Sequence, residues 1–350
     1  MSYELNNKLK DLIPYQPISG DYKIRLDANE SYINLAEPFA HRIGNVVANL
    51  DFNRYPDPYA AKLCRAFAQR YHIDSELVTA GNGSDELISI LASCFLEKGD
   101  TVLTMIPDFS MYAFYGNLYE CKVETLVKSE SLKIDPDAVL ECLKNTGARM
   151  LLFSNPCNPT SIGLKREDVL KIVTGTESLV VVDEAYMDFW DQSVLDAVVE
   201  HDNLLVLKTC SKAAGAAAIR LGFAVANPTL TRALRAAKSP YNVNSLTQAV
   251  GEIILSEKNL LGRCVKEILH SRDELQQALD ELAAKKADIV TVYPSCTNFI
   301  FLRMRDAKSV YEALLKRSVA VRWMGDYLRI TAGNQEENRT LVKELGSILQ

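Results

Sequence analysis

One lysine, one buried-looking acid and one glycine turn stand where each follows a short β-rich run, and their types allow a specific chemistry. Thr209-Cys-Ser-Lys-Ala213 closes one such run and puts Lys212 and Ser211 at its end, with small residues and then Arg220 beyond. An amine there can form an imine with an aldehyde or carry a proton. The apolar run Leu179–Val182 delivers Asp183 and Glu184 directly, with Tyr186 three residues past Asp183. A carboxylate so placed needs a partner, either a basic protein group or a cationic ligand, because burial alone costs several kcal/mol or forces protonation.

Two further run ends are polar. Gly81-Asn-Gly-Ser-Asp-Glu86 delivers Ser84 and Asp85 to a helix start, where unpaired N–H groups can hold a phosphate. It reads equally as a plain capped turn. Asn155-Pro-Cys-Asn-Pro-Thr160 is too rich in proline to start a helix at once, so Asn158 sits in an extended loop as a hydrogen-bond donor or as a turn former. Lys212 alone would be an ordinary solvated helix start. Only their placement on one sheet edge, where open parallel sheets bind ligands, makes them a set.

The elements that position them follow from pattern. Expected strands are 76–79, 101–105, 122–126, 149–154, 179–183, 204–208 and 221–226, alternating with helices such as 84–96 and 135–143, the latter opened by Asp135 and Pro136. Continuous apolar strands such as Leu179-Val-Val-Val182 imply burial on both faces of a mostly parallel sheet between helices. Beyond Pro228 come long amphipathic helices and short strands near 289–293, 298–303, 319–322 and 327–331. A final helix opens with Asn334 and Glu337 at capping-box spacing. The expectation is an α/β chain divided into an N-terminal segment (1–40) packing with the smaller domain, a large domain (41–240) and a smaller α+β domain (241–350).

Composition narrows the class. The 350 residues carry 39 Lys and Arg against 45 Asp and Glu, a net charge of −6, so no basic field exists for nucleic acid. The eight cysteines and four histidines are scattered without metal-ligand spacing. Glu4, Lys8, Lys10 and Asp11 interrupt the first fifteen residues, and no apolar run nears a bilayer span, so a cytoplasmic protein without membrane partner is expected.

Together the set meets the needs of pyridoxal 5'-phosphate: a lysine for the aldehyde, a carboxylate for the ring nitrogen, donors for the ring oxygen, and Arg, Ser and helix N–H groups for phosphate. The chain resembles the fold-type-I pyridoxal-phosphate aminotransferases, and within them the histidinol-phosphate branch. The resemblance runs from Pro14-Tyr15 to the final helix. It rests on Leu26-Asp-Ala-Asn-Glu30, Tyr55-Pro-Asp-Pro58, Gly83-Ser-Asp-Glu86, Pro107-Asp-Phe-Ser-Met-Tyr112, Asn155-Pro-Cys-Asn-Pro-Thr160, Val182-Asp-Glu-Ala-Tyr186, Thr209-Cys-Ser-Lys212, Arg220 and Leu328-Arg-Ile-Thr331.

That resemblance implies Lys212 as the Schiff-base lysine and proton shuttle, Asp183 as the ring-nitrogen partner, and Asn158 and Tyr186 as donors to the ring oxygen. It further implies that Phe109 stacks on the ring, that Ser84, Asp85, Ser211 and Arg220 surround the phosphate, and that Tyr55 reaches the cofactor of a second subunit in a homodimer. Tyr15, Arg322 and Arg329 would meet the substrate. The implied activity passes an amino group from L-histidinol phosphate to 2-oxoglutarate, giving imidazole acetol phosphate and L-glutamate in histidine biosynthesis. An aromatic aminotransferase or a threonine-phosphate decarboxylase would use the same cofactor residues, and a non-catalytic cofactor-binding protein is the reading of a different class. The chain departs from the family pattern at Ser161, where glycine is usual, at Ala214, Ala216 and Ala218, where larger residues are common, and in a shorter stretch between Arg322 and Arg329.

Overall fold

The computed structural model describes residues 3–10, 12–14, 16–34 and 37–349. Twelve strands occur among them: β1 (Ile24–Leu26), β2 (Val78–Gly81), β3 (Thr101–Ile106), β4 (Lys122–Val127), β5 (Met150–Ser154), β6 (Leu179–Asp183), β7 (Leu204–Thr209), β8 (Gly222–Ala226), β9 (Ile289–Val292), β10 (Phe299–Met304), β11 (Val319–Met324) and β12 (Tyr327–Thr331). They form a seven-stranded sheet in the order β2-β8-β7-β6-β5-β3-β4 and a five-stranded sheet in the order β1-β11-β12-β10-β9. In the larger sheet β4, β3, β5, β6 and β7 run parallel, and β8 enters antiparallel to both neighbours.

The apolar runs are explained by burial on both faces. Val180, Val182, Val206 and Phe153 belong to one core cluster, while the alternate residues Val181, Leu205, Leu207 and Leu152 belong to another. Helices close each face: Leu63 and Phe67 of Ala61–Tyr71 pack into the first cluster, and Leu87, Ile88 and Leu91 of Ser84–Cys94 into the second. The smaller sheet is covered by Leu275 and Leu279 of the helix Lys258–Ala283, Val310 and Leu314 of Ala307–Lys316, and Leu341 and Leu345 of Gln335–Ile348.

Local signals place several boundaries. Asp135 accepts from the Asp137 amide with Pro136 in the first turn, and Asn334 and Glu337 form the reciprocal capping box. The first strand of the large sheet begins later than the pattern suggests. Asp74 accepts from the Glu76 amide at 2.9 Å and winds Ser75–Leu77 into a 3-10 turn, so pairing starts at Val78. The short β1, absent from the pattern reading, adds parallel to β11 with Leu26 opposite Val321.

Gly222, at the start of β8, holds the glycine turn against the sheet. A Cβ there would lie 2.5 Å from the Ser84 amide nitrogen and 2.6 Å from the Gly83 carbonyl carbon, both backbone atoms. Gly222→Ala is therefore expected to destabilise the fold by about 1–3 kcal/mol, read as a lower urea midpoint. An unchanged midpoint would show that the turn can retreat freely.

Candidate active site

The two acids that leave β6 solve the burial problem in opposite ways. Glu184, fully buried, accepts from Ser193 Oγ at 2.6 Å and the Val194 amide at 2.7 Å, and Lys208 Nζ lies 3.9 Å away. Lys208 also meets Asp188 at 3.1 Å, and Asp188 accepts from Tyr71. This is an internal, structural cluster. Asp183, 4% exposed, accepts from Tyr112 Oη at 2.9 Å and from the Ala185 amide at 3.0 Å, and among the described residues no lysine or arginine pairs with it. Burial pushes its carboxyl up to about 7, the hydrogen bonds from Tyr112 and Ala185 offsetting this only in part. Asp108 and Asp85 raise it further. Such a group suits a ligand that brings its own N–H cation.

Lys212 and Tyr186 lie together. Lys212 Nζ donates to the Ala28 carbonyl at 3.0 Å and sits 5.8 Å from the centre of the Tyr186 ring. Tyr186 is buried, packs edge-on against Phe299 and accepts from Asn29 Nδ2 at 2.9 Å. The contacts to Ala28 and Asn29 bring the segment after β1 into the site.

The Asn158 loop is tied from both sides. Its backbone N–H donates to Ser154 Oγ at 3.1 Å, and its side-chain Oδ1 accepts from Arg329 Nη1 at 2.5 Å. Ser154 Oγ in turn donates to Asp108, whose carboxylate also accepts from the adjoining Phe109 amide at 2.8 Å. Asp108 pairs with Lys128 at 3.4 Å, both side chains 1% exposed, and Lys128 donates to Cys157 Sγ at 2.9 Å. Burial raises the Asp108 carboxyl against the opposing pull of Lys128. Phe109 stands edge-on to Tyr112 at 5.5 Å, which links it to the hydroxyl on Asp183.

Arg329 Nη2 donates to the Asp27 carbonyl at 2.6 Å, and Arg322 of β11 stands directly opposite Arg329 across the β11–β12 pair. The shortened connection between these strands is thus a tight hairpin that keeps both arginines in register.

At the glycine turn, Asp85 meets Arg220 at 3.5 Å, so its carboxylate orients a cation. Arg220 takes a left-handed backbone (φ 50°), and its guanidinium would lie 2.8 Å from any Cβ on Gly83. Ser211 is buried and shares a hydrogen bond with Thr209 Oγ1 at 3.0 Å. Ser84 opens the helix Ser84–Cys94.

Tyr55 is 81% exposed and stacks on Tyr241 at 4.6 Å. Tyr15 lies outside the described residues. The small residues after Lys212 make room for protein: a Cβ on Gly215 would lie 2.7 Å from the Ile33 carbonyl oxygen. Ser161 adopts φ 63°, the region glycine favours, so it occupies the conformation a glycine would take, and its Oγ shares its hydrogen between the Thr160 carbonyl at 2.5 Å and the Pro294 carbonyl at 3.1 Å. Residue patterns missed Tyr112, Asn29 and Asp108, although Tyr112 follows Phe109 at the helical spacing that puts both on one face.

The raised Asp183 carboxyl makes a pH-dependent prediction for cofactor-free protein. Because the folded state holds this proton up to about 7 and the unfolded state releases it near 3.8, Asp183 lowers stability progressively as pH rises through that window. Asp183→Asn should raise the cofactor-free melting temperature at pH 8, with the gain shrinking toward pH 4. A gain that is constant with pH would reject burial of the charge as its cause.

The aminotransferase class I and II family profile matches residues 22–345. A histidinol-phosphate aminotransferase of Clostridium kluyveri is 40% identical over 98% of this chain and 97% of that protein, and one of Clostridium novyi is 40% identical over 97% and 95%. Among solved structures, the histidinol-phosphate aminotransferase from Sinorhizobium meliloti in complex with pyridoxal-5'-phosphate superposes with a TM-score of 0.86 at 20% identity, covering 99% of both chains. The L-threonine-O-3-phosphate decarboxylase from Porphyromonas gingivalis gives 0.78 at 24% identity, covering 93% of this chain and 98% of that one. These two structures speak for the fold, while the profile and the 40% relatives carry descent, and on them the chain belongs to the aminotransferase class I and II family.

Proposed function

We propose that this chain is a pyridoxal phosphate-dependent aminotransferase that transfers the amino group of L-histidinol phosphate to 2-oxoglutarate, yielding imidazole acetol phosphate and L-glutamate in histidine biosynthesis. The observation that carries the cofactor reading is Asp183, a buried carboxylate with no cationic protein partner among the described residues, on the same sheet edge as Lys212. The relatives at 40% identity over nearly the whole chain support the substrate.

When bound, the cofactor supplies an aldehyde for the amino group and a ring that accepts electron density from the substrate's α-carbon. Lys212 Nζ would attach it and would serve as base for the α-carbon proton. Asp183 would retain a proton at the ring nitrogen, with Tyr112 keeping the carboxylate oriented. Asn158 and Tyr186 would donate to the ring oxygen, and Phe109 would pack on the ring. Ser84, Ser211, Arg220 and the first amides of Ser84–Cys94 hold the phosphate, with Asp85 steering Arg220. Arg329 takes a carboxylate, and Arg322 beside it takes the donor's phosphate, since an arginine fork fits either anion.

Glutamate formation from histidinol phosphate and 2-oxoglutarate is the assay. Borohydride reduction should fix the pyridoxyl group on Lys212, and Lys212→Ala should abolish both label and turnover. Arg322→Ala should weaken the phosphorylated donor about tenfold to a hundredfold and glutamate far less. Carbon dioxide release in place of glutamate would identify a decarboxylase, and equal use of unphosphorylated histidinol would favour an aromatic aminotransferase.

We also propose a cytoplasmic two-fold homodimer in which Tyr55 contacts the cofactor of the second subunit. Support for the dimer comes from the exposed aromatics Phe52, Tyr55 and Tyr59, with Tyr55 stacked on Tyr241; among the described residues no helix is long and apolar enough to cross a membrane. Sedimentation should give a dimer; an active monomer would reject the composite site, and recovery in a membrane fraction would reject the location.

A further inference from the structure

The hydrogen bonds around Asn29 fix the direction of a proton on Tyr186. The Asn29 backbone N–H can only donate, and its acceptor is Thr331 Oγ1 at 3.0 Å. Among the described residues the one acceptor left for the single hydroxyl hydrogen of Thr331 is Asn29 Oδ1, at 3.2 Å. That contact assigns the oxygen of the Asn29 amide. The opposite end, Nδ2, faces Tyr186 Oη at 2.9 Å and must donate to it. Tyr186 Oη is therefore an acceptor on this side. Among the described residues, no acceptor receives its own hydrogen.

The support is rigid. Asn29 is 1% exposed with a left-handed backbone (φ 54°), and its carbonyl accepts from Asn298 Nδ2 at 3.2 Å. Reversal of the amide would set Oδ1 against Tyr186 and leave the Thr331 hydroxyl hydrogen without an acceptor among the described residues.

We propose that Asn29 is a positioning residue that makes Tyr186 an obligatory hydrogen-bond donor toward the ring oxygen of the cofactor. This rests on the reading of Tyr186 given above. Were the phenol to donate to residue 29, its lone pair would face an anionic oxygen, and the interaction would turn repulsive. Asn29 thus acts through Tyr186, with Thr331 holding Asn29 in the required sense.

The test reads the bound cofactor's absorbance against pH, which requires no turnover. A donor to the ring oxygen stabilises the deprotonated chromophore and lowers its midpoint, so loss of the donor raises it. Tyr186→Phe is expected to raise the midpoint by about one unit. Asn29→Gly suits the left-handed backbone, adds no charge and frees the phenol to rotate; a rise of about half a unit is expected. In the Tyr186→Phe background the same glycine should add nothing, because the residue it orients is gone. Thr331→Val supplies a second route, with a smaller rise that also vanishes in that background, should the glycine variant fail to fold by cofactor-free melting. A glycine shift of equal size in both backgrounds overturns the proposal, as does no shift where Tyr186→Phe gives one. No shift from Tyr186→Phe itself overturns the donor role of Tyr186 and the proposal with it.

Discussion

A carboxylate at the end of a doubly covered strand is the constraint around which this molecule is arranged. Strand β6 is buried on both faces, so whatever leaves its carboxyl end emerges into a dry region where an ion needs compensation. Adjacent acids receive it from different sources. Glu184 has Lys208, a lysine from the neighbouring strand that belongs to the fold, whereas Asp183 has a phenol and one amide. The second arrangement is incomplete for a charged group, and its completion belongs to a ligand. The fold thereby fixes where the proposed cofactor's positive nitrogen would go.

The site is assembled between the two sheets. Arg329 from β12 reaches Asn158 after β5, and Asn29 after β1 reaches Tyr186 after β6. Each bond joins the small sheet or its flanking segment to the large one. Residues proposed to bind cofactor and residues proposed to bind substrate therefore share hydrogen bonds, and the position of Asn158 reports on both. The Asp108–Lys128 pair secures the same loop from beneath by bringing the ends of β3, β4 and β5 together. A buried ion pair adds little net stability, so its contribution here is fixed geometry at the sheet edge.

Much of this was legible in residue order. The strand Leu179–Asp183 is bounded as its apolar run indicates, and the caps at Asp135 and Asn334 are where their spacing puts them. Lys212, Asp183, Asn158 and Tyr186 could be named because each follows a strand, and in a parallel sheet strand ends converge. Tyr112 and Asn29 could not be read in this way. Their partners lie 71 and 157 residues away, and a tyrosine inside a helix or an asparagine after a three-residue strand has no local pattern that separates support from packing. The start of β2 was misplaced because a side-chain cap outcompeted strand pairing locally.

Ser161 closes the loop that carries Asn158, and its hydroxyl reaches the Pro294 carbonyl while its own carbonyl accepts from the Cys296 amide at 2.8 Å. Those residues lie between β9 and β10, at the root of the small sheet. A glycine would meet the same backbone angle but could not supply the first of these bonds. The serine thus ties the asparagine loop to the β9–β10 connection through two linkages instead of one, so the placement of Asn158 is set by the small sheet as well as by the end of β5.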